Sequence, residues 1–281
     1  MLSYRHSFHA GNHADVLKHI VLLGVLKKLC AKDKAFSYID SHSGAGMYDL
    51  LSSNALMNAE YESGISRLWK HDFKNALLQD YLACVRSFNE DGELRFYPGS
   101  PAFALWSART QDRLQLLDLQ PEELGVLQYY LGRDERVSIH QRDAFEGLLA
   151  LTPPEPRRGL ALIDPSFEQK EDYQRVVNVA KKVMRRWPVG IMAIWYPILA
   201  SDRDRSPWLK AALQREKLSS VMSIELRVAE QAQEYGMHGS GMLLINTPWQ
   251  FSALMQDVFE EVVPLLGDNA SFLIETLTEA E

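Results

Sequence analysis

The sequence predicts an α/β fold: a mostly parallel sheet with helices covering both faces. Three observations predict it. Short apolar segments alternate with segments of helical periodicity along the 281 residues. The strand-like segments are nearly continuous apolar runs, as strands buried on both faces are. Acids recur in step with them: Asp40, Asp118 and Asp164 at or just after strand ends, and Asp143 after the strand ending near His140. Open α/β sheets bind their ligands at those carboxyl ends.

Each element follows from a local pattern. Residues 15–30 read as a helix, with Val16, Leu17, Ile20, Val21, Leu23 and Leu26 on an apolar face and Lys18, Lys27 and Lys28 towards the other. FSYID at 36–40 reads as a short buried strand ending in an acid. SHSGAG at 41–46 follows as a tight loop, whose Gly44 and Gly46 let the backbone pass close to a ligand without a Cβ clash. Residues 61–69 and 76–88 have helical spacing with no clear strand among them, so residues 50–96 read as a helical insertion after the first strand. Strand patterns resume at 114–119, 136–140, 160–164, 190–196, 219–228 and 241–246. Helical patterns fall at 121–131, 144–151, 173–186, 207–216 and 250–266. The proline-rich residues 152–156 read as a loop before a strand and not as a linker, so residues 1–281 are expected to form a single domain.

Charge and composition narrow the function. Lys and Arg number 30 against 37 Asp and Glu, a net charge of -7. A protein that coats nucleic acid indiscriminately needs a positive surface, so that class is excluded. The charge is uneven: residues 251–281 hold seven acids and no base, and residues 1–34 hold six bases against two acids. The chain therefore reads as having a basic head and an acidic tail. Cys30 and Cys84 form no CxxC pair, which argues against a disulfide framework or a zinc ribbon. The first residues are polar and histidine-rich, unlike a secretory signal, and no apolar run approaches the roughly 20 residues of a membrane span. A cytoplasmic location is expected.

The glycine loop alone is a weak nucleotide signal. The usual ribose acid about 20 residues on falls near Glu60 and Glu62, inside a helical stretch. An insertion over 50–96 resolves the mismatch and makes Asp118 the strand-end acid. The most informative stretch is LALIDPSF at 160–167. It resembles the (Asp/Asn/Ser)-Pro-Pro-(Tyr/Phe/Trp) motif of methyltransferases that act on exocyclic amines of adenine or cytosine. Such an amine is a poor nucleophile because its lone pair is delocalised into the ring. A carboxylate and a backbone carbonyl accepting its two N–H groups orient it and raise its electron density. Asp164 would supply the first, Pro165 the second, and Phe167 would stack on the base. The donor methyl must lie in line, so positioning carries much of the rate. Ser166 replaces the second proline, which leaves these groups intact but removes a residue that fixes φ. A strand-ending turn is the plain alternative for Asp-Pro.

The amino-terminal segment adds specificity. YRHSFHAGNHADVLKH at 4–19, DSHSGAG at 40–46, YPGSP at 97–101, the Asp-Pro tetrad, WYP at 195–197, GMHGSGM at 236–242 and NTPW at 246–249 together resemble the J-type 23S ribosomal RNA adenine-N6 methyltransferases of bacteria. The resemblance spans nearly the whole chain. It implies a Rossmann-like class I S-adenosylmethionine-dependent methyltransferase fold with a small helical subdomain inserted after the first strand. It implies S-adenosylmethionine as cofactor, with His19, His42, Ser100, Asp118, Asp143, Ala144 and Asp164 at the matching positions. Asp118 stands where relatives can have Glu, and Ala144 where they can have Gly. Asp164 matches the catalytic position and Tyr4 the substrate-contact position, with His6 and Lys18 as further contributors near the target base or phosphate. An unstacked base can be held by an aromatic ring such as Tyr4, and Lys18 can meet a phosphate as a point charge. The implied substrate is protein-free 23S ribosomal RNA, with no metal and no membrane. On this reading the basic head forms a local lip beside the cofactor cleft.

Three other readings stand beside it. His6, His9, His13 and His19 with Asp15 could serve a metal-dependent hydrolase, although no HExxH spacing is present. A non-catalytic RNA-binding module would also use a basic head. The tetrad by itself does not separate RNA from DNA, so an adenine-N6 or cytosine-N4 enzyme of another RNA or of DNA keeps the same chemistry.

Overall fold

The computed structural model describes residues 4–233 and 236–279. A 3-10 turn (His6–Phe8) leads into helix α1 (His13–Cys30) and strand β1 (Ser37–Asp40). The chain then leaves the main sheet through β2 (Met47–Asp49), α2 (Ser53–Asn58), a 3-10 turn (Glu60–Ser63), α3 (Ile65–Leu68), α4 (Ala76–Arg86) and β3 (Phe96–Pro98). After α5 (Ser100–Ser107) strands and helices alternate: β4 (Arg113–Asp118), α6 (Pro121–Leu131), β5 (Val137–Gln141), α7 (Ala144–Leu151), β6 (Gly159–Ile163), α8 (Lys170–Arg186), β7 (Ile191–Leu199), α9 (Ser206–Arg215) and β8 (Val221–Arg227). The last elements are β9 (Met237–Ile245), α10 (Phe251–Leu266) and β10 (Ser271–Thr278).

Eight strands form one sheet in the order β10-β8-β9-β7-β6-β1-β4-β5. Neighbours from β5 to β7 are parallel, while β9 runs antiparallel to β7 and β8, and β10 antiparallel to β8. The α/β class and mostly parallel sheet expected from the sequence are therefore present. The chain steps outward from β1 through β4 and β5, then crosses back to β6 and β7. That reversal opens a crevice at the carboxyl ends of β1, β4 and β6, where such sheets bind ligands.

Alternate residues of each strand feed two cores. Tyr38, Leu114, Leu116, Leu160 and Leu162 pack on one face with α1, α4, α5 and α10. Ile39, Leu117, Ala161 and Ile163 pack on the other with α7, α8 and α9. This is why the strands read as unbroken apolar runs: both phases of the period-2 pattern are buried.

The structure corrects four local expectations. α1 is not amphipathic: fifteen of its 18 residues are buried, Lys18 among them. It runs between the sheet and α4, α5 and α10, so even His13, Asp15, Lys18 and His19 lie inside. The inserted stretch also differs from a purely helical unit. β2 and β3 pair antiparallel at its base. Residues 61–69 form a 3-10 turn and a single helical turn instead of one helix. The break is at Gly64, where a Cβ would lie 2.1 Å from the Gly11 carbonyl oxygen. Ile65, Leu68, Leu77, Leu78 and Tyr81 join the same core as α1, so the segment shares the main core on that face.

The acidic tail is folded as α10 and an edge strand. Glu261 of α10 accepts the backbone N–H groups of Lys74 and Asn75 at 2.6 and 3.0 Å. Charges such as Glu275 on β10 suit an edge that must not pair with another chain. The basic head does not form a lip. Lys27 and Lys28 lie in the last turn of α1, and Lys32 and Lys34 follow before β1 begins, at the end of the sheet away from the crevice. Lys18 is at the crevice but buried between acids, and Arg5 pairs with Glu122 at 2.8 Å. Among the described residues no helix is long and apolar enough to cross a membrane.

Candidate functional site

Two cavities meet at the crevice. The first lies over the carboxyl ends of β1 and β4 and is lined by His19, His42, Ser100, Asp118, Asp143, Ala144 and Asp164. Seven residues named from the sequence as cofactor positions are thus brought together. The second lies towards β7 and is lined by Phe167, His9, Glu60, Trp195 and Leu199. Tyr4, His6, Lys18, Asp164 and Ser166 line both, so they form the wall between them. Pro165 lines the first.

The strand-end acids have different tasks. Asp40 is fully buried and lines neither cavity. It accepts the Tyr38 hydroxyl at 2.6 Å, the Ser100 hydroxyl at 2.7 Å and the His42 backbone N–H at 3.3 Å. Burial pushes its pKa up to about 6, against those hydrogen bonds. It is a buried post that holds Ser100 and the start of the glycine loop. Asp118 accepts Gly44 N–H at 2.9 Å and Gln120 N–H at 2.8 Å, tying the loop to the end of β4. Asp143 caps α7 through Phe145 N–H and Glu146 N–H, and binds Arg175 at 3.1 Å. Arg175 in turn lies 4.2 Å over the Phe145 ring.

The glycines are required by the protein itself. Gly44 has φ +55 and Gly46 has φ +70, conformations that favour glycine. A Cβ at Gly44 would strike the Tyr48 hydroxyl at 2.4 Å, and one at Gly46 would strike Leu127 at 2.6 Å. The sequence reading assigned them to close ligand approach; the obstacles are the protein's own side chains.

A continuous chain of polar contacts runs through the shared wall. The Tyr4 hydroxyl meets His6 Nδ1 at 2.8 Å, and His6 Nε2 meets Asp15 Oδ2 at 2.9 Å. Lys18 Nζ bridges Asp15 Oδ1 at 2.8 Å and Asp164 Oδ2 at 2.7 Å. Burial pulls the Lys18 ammonium down, but Asp15 and Asp164 outweigh it and hold its pKa above the ordinary lysine value. Burial likewise pushes Asp15 up, and His6, Lys18 and His19 pull it well below the usual carboxylate range. Lys18 is therefore a buried cation clamped between two carboxylates.

His19 follows Lys18 directly, one turn on from Asp15. Its Nδ1 meets the Tyr97 hydroxyl at 2.8 Å, while Nε2 is buried with no hydrogen-bond partner, 4.0 Å from Asp15 Oδ1. Burial holds the ring neutral, far below the usual histidine pKa. An orphaned ring nitrogen on a cavity lined by carboxylates and backbone N–H groups suits a polar, amine- and ribose-bearing cofactor. Phe167 is 6% exposed, has φ +53, and packs against Tyr173 and Trp195 at centroid distances of 4.5 and 6.1 Å. A left-handed phenylalanine at a cavity wall is the kind of local strain that functional sites hold.

Three of the four amino-terminal histidines hydrogen-bond different side chains, His6 with Asp15, His9 with Glu60 and His19 with Tyr97, while His13 Nδ1 is buried with no hydrogen-bond partner. Among the described residues no group of three or more His, Cys, Asp or Glu could hold a metal ion. Sequence reasoning missed Asp15 as the partner of Lys18, Arg175 over Phe145, and Glu60 on the second cavity. The first had a signal: Asp15 and Lys18, opposite charges three residues apart, open a stretch that is apolar but for His19 as far as Leu26.

The chain is similar to several known proteins. Residues 33–272 match the family described as "Ribosomal RNA large subunit methyltransferase D, RlmJ". A protein of Escherichia coli named "Ribosomal RNA large subunit methyltransferase J" is 44% identical over 258 residues, covering 92% of this chain and 91% of the relative. A protein of the same name from Haemophilus influenzae is 38% identical over 281 residues, with 99% of each chain covered. A crystal structure of a Legionella pneumophila protein superposes with a TM-score of 0.87 at 33% identity, covering 95% of this chain and 98% of that one.

Proposed function

The chain belongs to the RlmJ family of ribosomal RNA large subunit methyltransferases, and from that premise we propose that it transfers a methyl group from S-adenosylmethionine to the exocyclic N6 of an adenine in protein-free 23S ribosomal RNA. The observation that carries the proposal is the position of Asp164, in the wall common to both cavities. A donor held in one cavity and a base held in the other would meet at its carboxylate.

When bound, S-adenosylmethionine supplies a methyl group on an electron-poor sulfonium. His19, His42, Ser100, Asp118, Asp143, Ala144 and Asp164 would hold it. Asp118 offers a ribose acceptor while tying down the glycine loop. His19 offers its unpartnered ring nitrogen.

The remaining residues orient the amine. Asp164 and the Pro165 carbonyl accept the two N–H bonds and turn the nitrogen lone pair out of conjugation with the ring. Lys18 occupies Asp164 Oδ2 and so fixes the carboxylate's rotation. Phe167 supports the base face and Tyr4 contacts the unstacked base from the shared wall, with His6 holding the Tyr4 hydroxyl. A base drawn from a helix must be flipped or already unpaired to enter. The amine proton is lost during or after attack, and positioning supplies much of the acceleration.

The test is tritium transfer from labelled S-adenosylmethionine to protein-free ribosomal RNA, followed by mass mapping of methylated nucleosides in rRNA from cells lacking the protein. Wild type should restore one N6-methyladenosine, and Asp164→Ala should lose about 10³-fold or more in turnover while keeping its fold. Near-normal turnover of Asp164→Ala would remove the assigned role. Equal methylation of DNA would redirect the substrate assignment. Tyr4→Ala should weaken RNA turnover by about tenfold and leave cofactor binding near wild type; equal loss of both would make Tyr4 structural.

A further inference from the structure

We infer that Glu60, on the inserted segment, is a positioning residue for the substrate side: it holds His9, whose ring backs Tyr4. The inference rests on the reading of Tyr4 as a substrate contact. Glu60 lies in the 3-10 turn Glu60–Ser63 and lines the second cavity with Tyr4 and His9. Its two carboxylate oxygens reach two different groups. Oε1 meets His9 Nδ1 at 2.8 Å, and Oε2 accepts the Asn12 side-chain N–H at 2.9 Å.

Both partners matter for the wall between the cavities. The His9 ring lies nearly parallel to Tyr4, with an interplanar angle of 11° and centroids 5.5 Å apart. Asn12 caps α1 by accepting Ala14 N–H and Asp15 N–H at 2.9 and 3.0 Å, and that first turn carries Asp15 towards Lys18. Tyr4 is thus held at two points. His6 takes its hydroxyl and is anchored by Asp15 within the amino-terminal segment. His9 supports its face and is anchored by a residue 51 positions away.

The insertion is itself pressed against this segment. Ile65 N–H donates to the Gly11 carbonyl at 2.9 Å, next to the Gly64 contact that excludes any Cβ. The carboxylate is therefore delivered by a rigid backbone junction. An amide in its place keeps one acceptor oxygen and loses the charge, so it can hold both partners only by donating to a neutral His9 Nδ1, and the charge-assisted bond that fixes the ring is lost.

The experiment is a double-mutant cycle on methyl transfer to protein-free ribosomal RNA. Glu60→Gln should raise KM for RNA about tenfold while calorimetric affinity for S-adenosylmethionine stays within about twofold. Combining it with Tyr4→Ala should add less than about twofold to the loss from Tyr4→Ala alone, because the two act through one ring. His9→Ala, which removes the stack without touching the insertion, should reproduce the Glu60→Gln phenotype and covers the case in which Glu60→Gln folds poorly. Losses that multiply in the double variant, or wild-type RNA kinetics for both Glu60→Gln and His9→Ala, overturn the inference. Wild-type kinetics for Tyr4→Ala alone overturn the substrate reading first and the inference with it, and that arm distinguishes the two failures.

Discussion

Helix α1 carries Lys18 near its start and Lys27 in its last turn, and these two lysines have opposite circumstances. Lys18 is 5% exposed, with Asp15 at 2.8 Å and Asp164 at 2.7 Å. Lys27, roughly 13 Å further along the axis at 1.5 Å per residue, is exposed and pairs with Asp80 at 2.5 Å. The distances are alike, so geometry does not separate the pairs; burial does. An exposed pair gains little because water screens it and both side chains give up rotamer freedom. A buried cation between two carboxylates has nowhere else to send its charge, so its removal strands the partners. The difference teaches that the buried end of α1 spends stability on holding Asp164, and the exposed end carries no comparable commitment.

The sharpest way to break this comparison is Lys18→Met, which keeps the stem's volume and deletes the charge. Asp15 and Asp164 then lose their shared cation, and destabilisation of about 3–5 kcal/mol is expected in urea unfolding. Methyl transfer should fall with it, because Asp164 Oδ2 is released. A variant as stable as wild type would show that water reaches the site, and that the two ends do not differ in the way the burial states.

Lys18 also marks how far the sequence was legible. The fold class followed from unbroken apolar runs alternating with helical patterns, since both strand faces are buried and neither phase can be polar. Asp164 and Pro165 followed from a strand running straight into them. Lys18 was misplaced on a solvent face because apolar spacing says which residues are buried and nothing of a charge buried among them. Its partner Asp164 lies 146 residues away, and only folding brings the two together. β10 was missed because an exposed edge strand has one covered side, and its pattern is correspondingly faint. Glu60 was counted as an acid in the wrong place for ribose; its significance lies in contacts 48 and 51 residues back, which no local spacing encodes.

A second, smaller test uses pH on the same buried end. His13 opens α1, and burial depresses its pKa to about 4, against the opposing pull of Glu60 and Asp15. Its folded pKa lies below the ordinary 6.5 of an unfolded histidine, so above that value both states are neutral and His13 adds no pH dependence. As pH falls below 6.5 the unfolded chain takes up the proton first, and stability declines until about pH 4, by on the order of 3 kcal/mol. His19 and His42, also held down by burial, act in the same direction. Asp40, whose pKa of about 6 is above the carboxylate norm, acts oppositely, since its protonation on acidification favours the folded state. The informative quantity is the difference in slope between wild type and His13→Gln across pH 7 to 4.5. A flatter profile for the variant sharpens the comparison; parallel profiles would mean that the His13 ring is hydrated.

The smallest effect belongs to the exposed end. Lys27→Ala removes the pair with Asp80 and a cation from the last turn of α1, where it opposes the helix dipole. Each contribution is worth at most about 1 kcal/mol, and both are weakened by salt. Alanine recovers part of the loss through its helix propensity. Unfolding free energy should therefore move by less than about 1 kcal/mol, and the remaining difference should shrink between low and high ionic strength. Methyl transfer to RNA should be unchanged, because Lys27 lies at the far end of the helix from the shared wall and no longer counts as part of a basic lip. A loss of RNA turnover with the fold intact would contradict that placement, and would mean that the substrate extends along α1 to the opposite edge of the sheet.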